Sequence, residues 1–235
     1  MKKPCFLLSF FVCLAGLVFG QENDIEKTRK LKFCGYKIGD TAFIRKQYDH
    51  QLSFLQINDR DTIIDIGTSS GAYIGALNTI GGFKNAHFIL VDIDSNCLNP
   101  VKVNNMIAYY QALHGASFTS TFSIVLNTPD SLYLPPDRYK KIWIMNTLHE
   151  IDDKGKMVKQ IANVLQAGGE VIVAEMLATE KVTMHGGCHK PLMSNDEIIK
   201  LFTSYGFTLR AKENLQVVEK QKDKHPFYFF RFIKM

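Results

Sequence analysis

From residue 62 onward, apolar positions come in short runs without alternation, separated by longer amphipathic stretches. The runs at 62–66, 88–91, 142–145 and 170–176 are dominated by Ile, Val, Leu and aromatic residues, and 118–126 is a further β-rich stretch. Strands buried on both faces read this way, because neither face needs polar side chains. Residues 71–80, 95–113, 152–165 and 194–205 suit helices. Gly81-Gly82, Gly168-Gly169 and Gly206 are placed to stop three of them, as glycine accepts the left-handed conformation that ends a helix. Ser95 is positioned as an N-cap, and Ser194-Asn195-Asp196-Glu197 matches a capping box. Strands alternating with helices of this length imply βαβ units and a mainly parallel sheet. The last two strands, 207–212 and 227–233, are separated only by a polar stretch. They are expected to pair as an antiparallel hairpin at one end of the sheet. The fold class is therefore α/β, a doubly wound, mainly parallel, seven-stranded sheet with a C-terminal antiparallel hairpin. Upstream, Ile44, Tyr48, Gln51, Leu52 and Leu55 recur at helical spacing. They predict a leading helix over 41–55 that covers one edge of the sheet.

The first twenty residues follow another logic. Lys2 and Lys3 precede an apolar run from Phe6 to Phe19, and the polar Gln21-Glu22-Asn23-Asp24 comes after Gly20. A basic start, an apolar centre and small residues before a polar junction form the layout of a secretory signal peptide. The run is shorter than the ~20 residues a spanning helix needs, so an uncleaved anchor is the second reading. The chain divides into a signal segment over 1–20, an N-terminal helical segment over 21–60 and one domain over 61–235. Pro135-Pro136 marks a loop inside that domain, not a linker. The mature chain is expected outside the cytosol, with no stable membrane insertion after cleavage.

Composition narrows the function. Of the 235 residues, 46% are hydrophobic and 22% charged, as in globular chains. The net charge of +5 includes Lys2 and Lys3. The remainder is too weakly basic for the clustered Lys and Arg of a nucleic-acid interface, so no nucleic-acid partner is expected. Cleavage would leave Cys34, Cys97 and Cys188. Their number is odd and their spacing resembles no zinc motif, so they are read as separate cysteines.

The chemistry lies at strand ends. In an open parallel sheet, ligands bind at the carboxyl ends of the strands where strand order reverses. The first such turn is Asp65-Ile66-Gly67-Thr68-Ser69-Ser70-Gly71, and the second strand closes on Asp92. An acid there can accept hydrogen bonds from ribose hydroxyls. The turn lacks the Gly-Lys-Ser/Thr of a phosphate-binding loop. Asp130-Ser131-Leu132-Tyr133-Leu134-Pro135 follows the third strand. Asn146-Thr147-Leu148-His149 leaves the fourth, and Leu165-Gln166-Ala167-Gly168-Gly169 precedes the fifth.

These segments, in this order, resemble the class I S-adenosylmethionine-dependent methyltransferases from about residue 50 to the end. The resemblance implies S-adenosylmethionine as cofactor, held by Asp65, Gly67, Ser69, Gly71, Asp92, Asp130 and Asn146. Ser69 stands where the family pattern has glycine. Its side chain is expected against the methionine end of the cofactor, as a working contact or as a blocker that leaves a degenerate site. His149 is the candidate general base, since imidazole titrates near neutral pH; a structural histidine at a helix start is the other reading. His185, Cys188 and His189 carry metal-type donors. They lie on no regular element and read as a substrate-facing or plain loop, so no metal site is assigned. The acceptor is expected to be a small molecule, because no separate recognition domain remains. The alternative is an exported, non-catalytic binding domain.

Overall fold

The computed structural model describes residues 25–216 and 226–235. The segment read as a signal peptide and most of the polar link before the last strand lie outside them. Helix α1 spans Thr41–Leu55, followed by β1 (Thr62–Ile66), α2 (Ala72–Gly81), β2 (His87–Asp92), α3 (Pro100–His114) and β3 (Thr121–Leu126). Then come β4 (Tyr139–Met145), a single 3-10 turn (Leu148–Glu150), α4 (Lys154–Val164), β5 (Leu165–Met176), α5 (Asn195–Thr203), β6 (Phe207–Glu213) and β7 (Phe227–Lys234). The strands form one sheet in the order β3-β2-β1-β4-β5-β7-β6. Pairing is parallel from β3 through β5, and β7 runs antiparallel to both β5 and β6. The seven-stranded, mainly parallel sheet and its closing hairpin are as the sequence predicts.

Each apolar run divides its side chains between two cores, since successive residues of a strand face opposite ways. Ile63, Phe88, Leu90, Trp143 and Ile172 pack with α1, α2 and α3. Ile64, Ile66, Ile89, Val91, Ile142, Ile144, Val171 and Val173 pack with α4 and α5. Helix α1 does not cover an edge. Its Ile44, Phe54 and Leu55 join the first core beside Ile172, Ala174 and Phe229, so it lies across a face of the sheet. A buried charge network ties its end down. Lys141 Nζ donates to the Gln56 carbonyl over 2.6 Å and pairs with Asp61 at 2.8 Å and Glu170 at 3.3 Å. Arg231 pairs with Glu170 and donates to the Phe54 carbonyl.

Three boundaries differ from the sequence reading for local reasons. Helix α3 begins at Pro100, not residue 95. Asn99 is its N-cap and accepts from the Lys102 amide, while Asp94 takes the Asn96 amide in the preceding turn. Short polar side chains compete for backbone amides there, and proline favours a first helical position. Helix α4 begins after its cap Asp153, and β5 already pairs at Leu165 with Tyr139 before its register shifts. The capping box at Ser194 and Glu197 forms as predicted.

The cysteines depart from expectation. Cys34 and Cys97, 63 residues apart, form a disulfide, and Cys188 is free. Ser70 braces the link: its Oγ accepts from the Cys34 amide at 2.7 Å and donates to the Cys97 carbonyl at 3.0 Å. Among the described residues, no helix is long and apolar enough to cross a membrane.

Candidate functional site

The strand order reverses between β1 and β4, and two cavities open at the carboxyl ends there. Both are lined by Gly67, Met145 and Asn146, so they meet at the exits of those two strands. The second cavity, about 470 Å³, is bordered by Ser69, Asp92, Ile93, Asn127 and Pro129. The first, about 420 Å³, is richer in aromatic rings: Tyr48, Tyr73, Tyr110, Phe227 and Phe229 line it beside Asp65 and His185.

The turn after β1 is shaped by three left-handed residues, Gly67 (φ +75°), Ser69 (φ +58°) and Gly71 (φ +80°). Gly67 must lack a side chain, because a β-carbon there would collide with Thr147. Its amide donates to the Val91 carbonyl at 2.8 Å, which joins the turn to β2. At the end of β2, Asp92 accepts from the Ser69 amide at 2.7 Å and the Asp94 amide at 3.0 Å. A carboxylate has about four acceptor sites, so two remain for ribose hydroxyls.

Asp65 lies two residues after Ile63 and faces the same side of the sheet. It is only 2% exposed, and its Oδ1 has no hydrogen-bond partner. Burial pushes its carboxyl up to about 7; the Thr68 hydroxyl works against the rise and the Asp92 charge adds to it. Such an oxygen, at the wall of a cavity it shares with Gly67 and Asn146, suits an ammonium group. Asn146 also adopts a left-handed conformation (φ +53°), and its amide is tied to the Ala174 carbonyl at 2.7 Å.

The structure thus gathers Asp65, Gly67, Ser69, Asp92 and Asn146 around the paired cavities, with Gly71 capping the helix behind them. Ser69 sits on the Asp92 side, in the second cavity, and not at the Asp65 end where the sequence reading put it. Asp130 is not brought in. It is exposed on the loop after β3 and pairs with Lys156 of α4 at 2.8 Å, while Asn127 and Pro129 take the cavity wall. His149 lines neither cavity. It is buried in the 3-10 turn, with Nδ1 at 2.7 Å from Glu175 Oε1.

Several residues of the cavities gave little signal. Gly35, Tyr36 and Ile38 reach the first cavity from a segment before α1, and that segment is placed by the Cys34–Cys97 disulfide. Glu175 was visible in principle, as an acid within the apolar run of β5.

These residues fit S-adenosylmethionine: an acceptor for ribose, a buried acid with one unpartnered oxygen for the amino end, and a glycine turn between them. Comparison with known proteins agrees. A model of the methyltransferase domain matches residues 64–173, from β1 to β5. The ubiquinone/menaquinone biosynthesis C-methyltransferase UbiE of Vibrio vulnificus strain YJ016 is 25% identical over 150 residues, covering 64% of this chain and 49% of that protein. The chain spans about half the length of the curated relatives it matches. Among solved structures, S-adenosylmethionine-dependent methyltransferases from Aquifex aeolicus and Methanosarcina mazei share the fold. They have TM-scores of 0.56 and 0.59 at 14% and 13% identity, and cover 84% and 79% of this chain and 100% and 97% of theirs. Sheet order, motif residues and the methyltransferase-domain match over residues 64–173 converge, and the chain is similar to the class I S-adenosylmethionine-dependent methyltransferases.

Proposed function

We propose that this protein methylates a small aromatic acceptor held in the first cavity, with the adenosine part of the cofactor in the second. The observation that carries this reading is the junction of the two cavities at Gly67, Met145 and Asn146. When bound, S-adenosylmethionine supplies an electrophilic methyl group on its sulfonium. Asp92 holds the ribose and Asp65 the amino end, so the methyl is aimed at the shared opening. Displacement at such a centre depends mainly on alignment and on exclusion of water. Tyr48, Tyr73, Phe227 and Phe229 supply apolar walls, and Tyr73 is fixed by donating to Gln51 Oε1 at 2.7 Å. Aromatic rings pack well against a planar acceptor. The UbiE relatives, whose name assigns them C-methylation in quinone biosynthesis, favour an acceptor of that shape.

Export is the second part of the proposal. The apolar leader after Lys2-Lys3 and the disulfide between Cys34 and Cys97 both support it, since such bonds persist mainly in oxidising compartments. Mass spectrometry of the protein from its native host should find a mature end near Gln21. A cytosolic chain that still begins at Met1 would overturn this part.

The catalytic reading is tested by calorimetric titration of the oxidised chain with S-adenosylhomocysteine, then by transfer of a labelled methyl group to pooled small aromatic molecules. Binding and transfer are expected. Binding without transfer to any acceptor would leave a non-catalytic module, and no binding would remove the enzyme reading.

A further inference from the structure

At the exit of β4 and in the loop between β5 and α5, three donor atoms come together that the cofactor site does not use. His149, His185 and Cys188 each offer one ligand atom, and these atoms all lie within 4.8 Å of one another. Their surroundings resemble a prepared site. Glu175 is fully buried and accepts from His149 Nδ1 at 2.7 Å, from the His149 amide at 3.2 Å and from the Met176 amide at 3.1 Å. Because Glu175 acts as acceptor throughout, the ring proton belongs on Nδ1. His149 Nε2 is then left with a free lone pair, and it is buried without a hydrogen-bond partner. Buried polar atoms rarely go unpartnered, and each exception calls for an explanation such as a bound ion.

The other two donors stand on a shaped loop. Met184 and Pro191 form a bridge, the His185 amide donates to the Lys190 carbonyl at 2.9 Å, and the His189 amide donates to the His185 carbonyl at 3.0 Å. The His185 ring centroid is 4.4 Å from that of His149. Cys188 Sγ lies 3.2 Å from His185 Nδ1 and is the free thiol of the described residues. Glu150 Oε1, 3.8 Å from His149 Nε2, adds negative charge beside the cluster.

We propose that His149 Nε2, His185 and Cys188 Sγ form a three-ligand site for zinc(II), with Glu175 as the carboxylate that orients His149. Two imidazoles and a thiolate suit this borderline-soft ion. A tetrahedral ion with bonds of about 2.0–2.3 Å holds such ligands roughly 3.3–3.8 Å apart, so a small inward movement of the loop completes the set. A carboxylate on the far nitrogen of a ligating histidine is the usual outer support. Three protein ligands leave a fourth position for water or for a thiol or hydroxyl of an acceptor. His185 also lines the first cavity, so the ion would stand at the border of the acceptor pocket. The sequence reading grouped His189 with His185 and Cys188; the fold replaces it with His149, which is 36 residues before His185 in the chain.

The test uses the full oxidised chain, stripped with a chelator and titrated with cobalt(II) alone, then with zinc(II). One cobalt per chain is expected, with tetrahedral bands in the visible and a thiolate charge-transfer band in the near ultraviolet, both bleached by zinc. Cys188→Ser should remove the charge-transfer band. Glu175→Gln should weaken binding roughly ten- to a hundredfold, and His189→Ala should change nothing. Identical titrations of wild type and Cys188→Ser, or no cobalt binding by wild type, would overturn the site. If Glu175→Gln does not fold, Cys188→Ser and His189→Ala decide the matter. S-adenosylhomocysteine binding by Cys188→Ser verifies that variant's fold and keeps this result separate from the methyltransferase reading.

Discussion

Ser69 donates its amide hydrogen to Asp92 Oδ2 across 2.7 Å while holding a left-handed backbone. The contact is made by the main chain, so it survives removal of the serine side chain. A non-glycine residue in this conformation costs about 1–2 kcal/mol, and part of any gain from glycine is lost to the more flexible unfolded chain. Ser69→Gly is therefore expected to keep S-adenosylhomocysteine affinity within about threefold, a difference of about 0.65 kcal/mol, and to unfold at an equal or higher temperature. A glycine variant that gains tenfold or more in calorimetry would identify Ser69 as an obstruction.

Asp92→Ala removes the acceptor for the Ser69 and Asp94 amides together with the ribose contact. A net hydrogen bond is worth about 0.5–1.5 kcal/mol, more where the acceptor is charged. Affinity should fall by roughly tenfold to a few hundredfold. Equal affinity in wild type and variant would count against the assignment.

Asp130→Ala separates geometry from motif resemblance. Its carboxylate meets Lys156 on the surface and no cavity, so cofactor affinity should be unchanged. A clear loss would show that the loop after β3 folds over the cofactor.

Asp65 carries a pH signature. Its carboxyl is pushed up from 3.8 to about 7 by burial. The folded chain therefore binds this proton more tightly than the unfolded chain between those two values. The linkage makes stability fall as pH rises across that window, and the deficit is complete above pH 7. Asp65→Asn should raise the melting temperature at pH 7.5 and not at pH 4. The same variant should lose cofactor affinity, because the amino end loses its anion. In wild type, affinity should strengthen as pH rises from 6 to 8. A flat profile in calorimetry, with a variant no more stable than wild type, would remove Asp65 from this role.

Lys141 is 7% exposed and links Asp61, Glu170 and the end of α1. Removing one partner of a buried ion pair costs about 3–5 kcal/mol. Lys141→Ala should lower denaturant stability by that order, measured by urea unfolding. A change under about 1 kcal/mol would show that the network is solvated.

Local patterns revealed the strands because each apolar run had to fill two cores at once: Ile63 serves one and Ile64 the other. The glycine turn and Asp92 were legible for a related reason, since turn geometry and strand ends are local properties. Asp130 misled because its motif is short and the direction of its side chain is set by Lys156, distant in sequence. His149 was found by residue type, without its surroundings. Its partners Glu175, His185 and Cys188 arrive from later segments, and no spacing rule joins them. The pairing of Cys34 with Cys97 was hidden in the same way, because only the fold of β1, α2 and β2 brings them within reach.

That disulfide also fixes one wall of the first cavity. Residues 35–39 run between two anchors, the bond at Cys34 behind them and the Asp40 cap of α1 ahead. A span so short, fixed at both ends, is a rigid jamb and not a swinging door. Phe227 and His185 line the same cavity from other segments of the chain. Reduction of the bond would cut the first anchor and leave residues 35–39 held only at the Asp40 end.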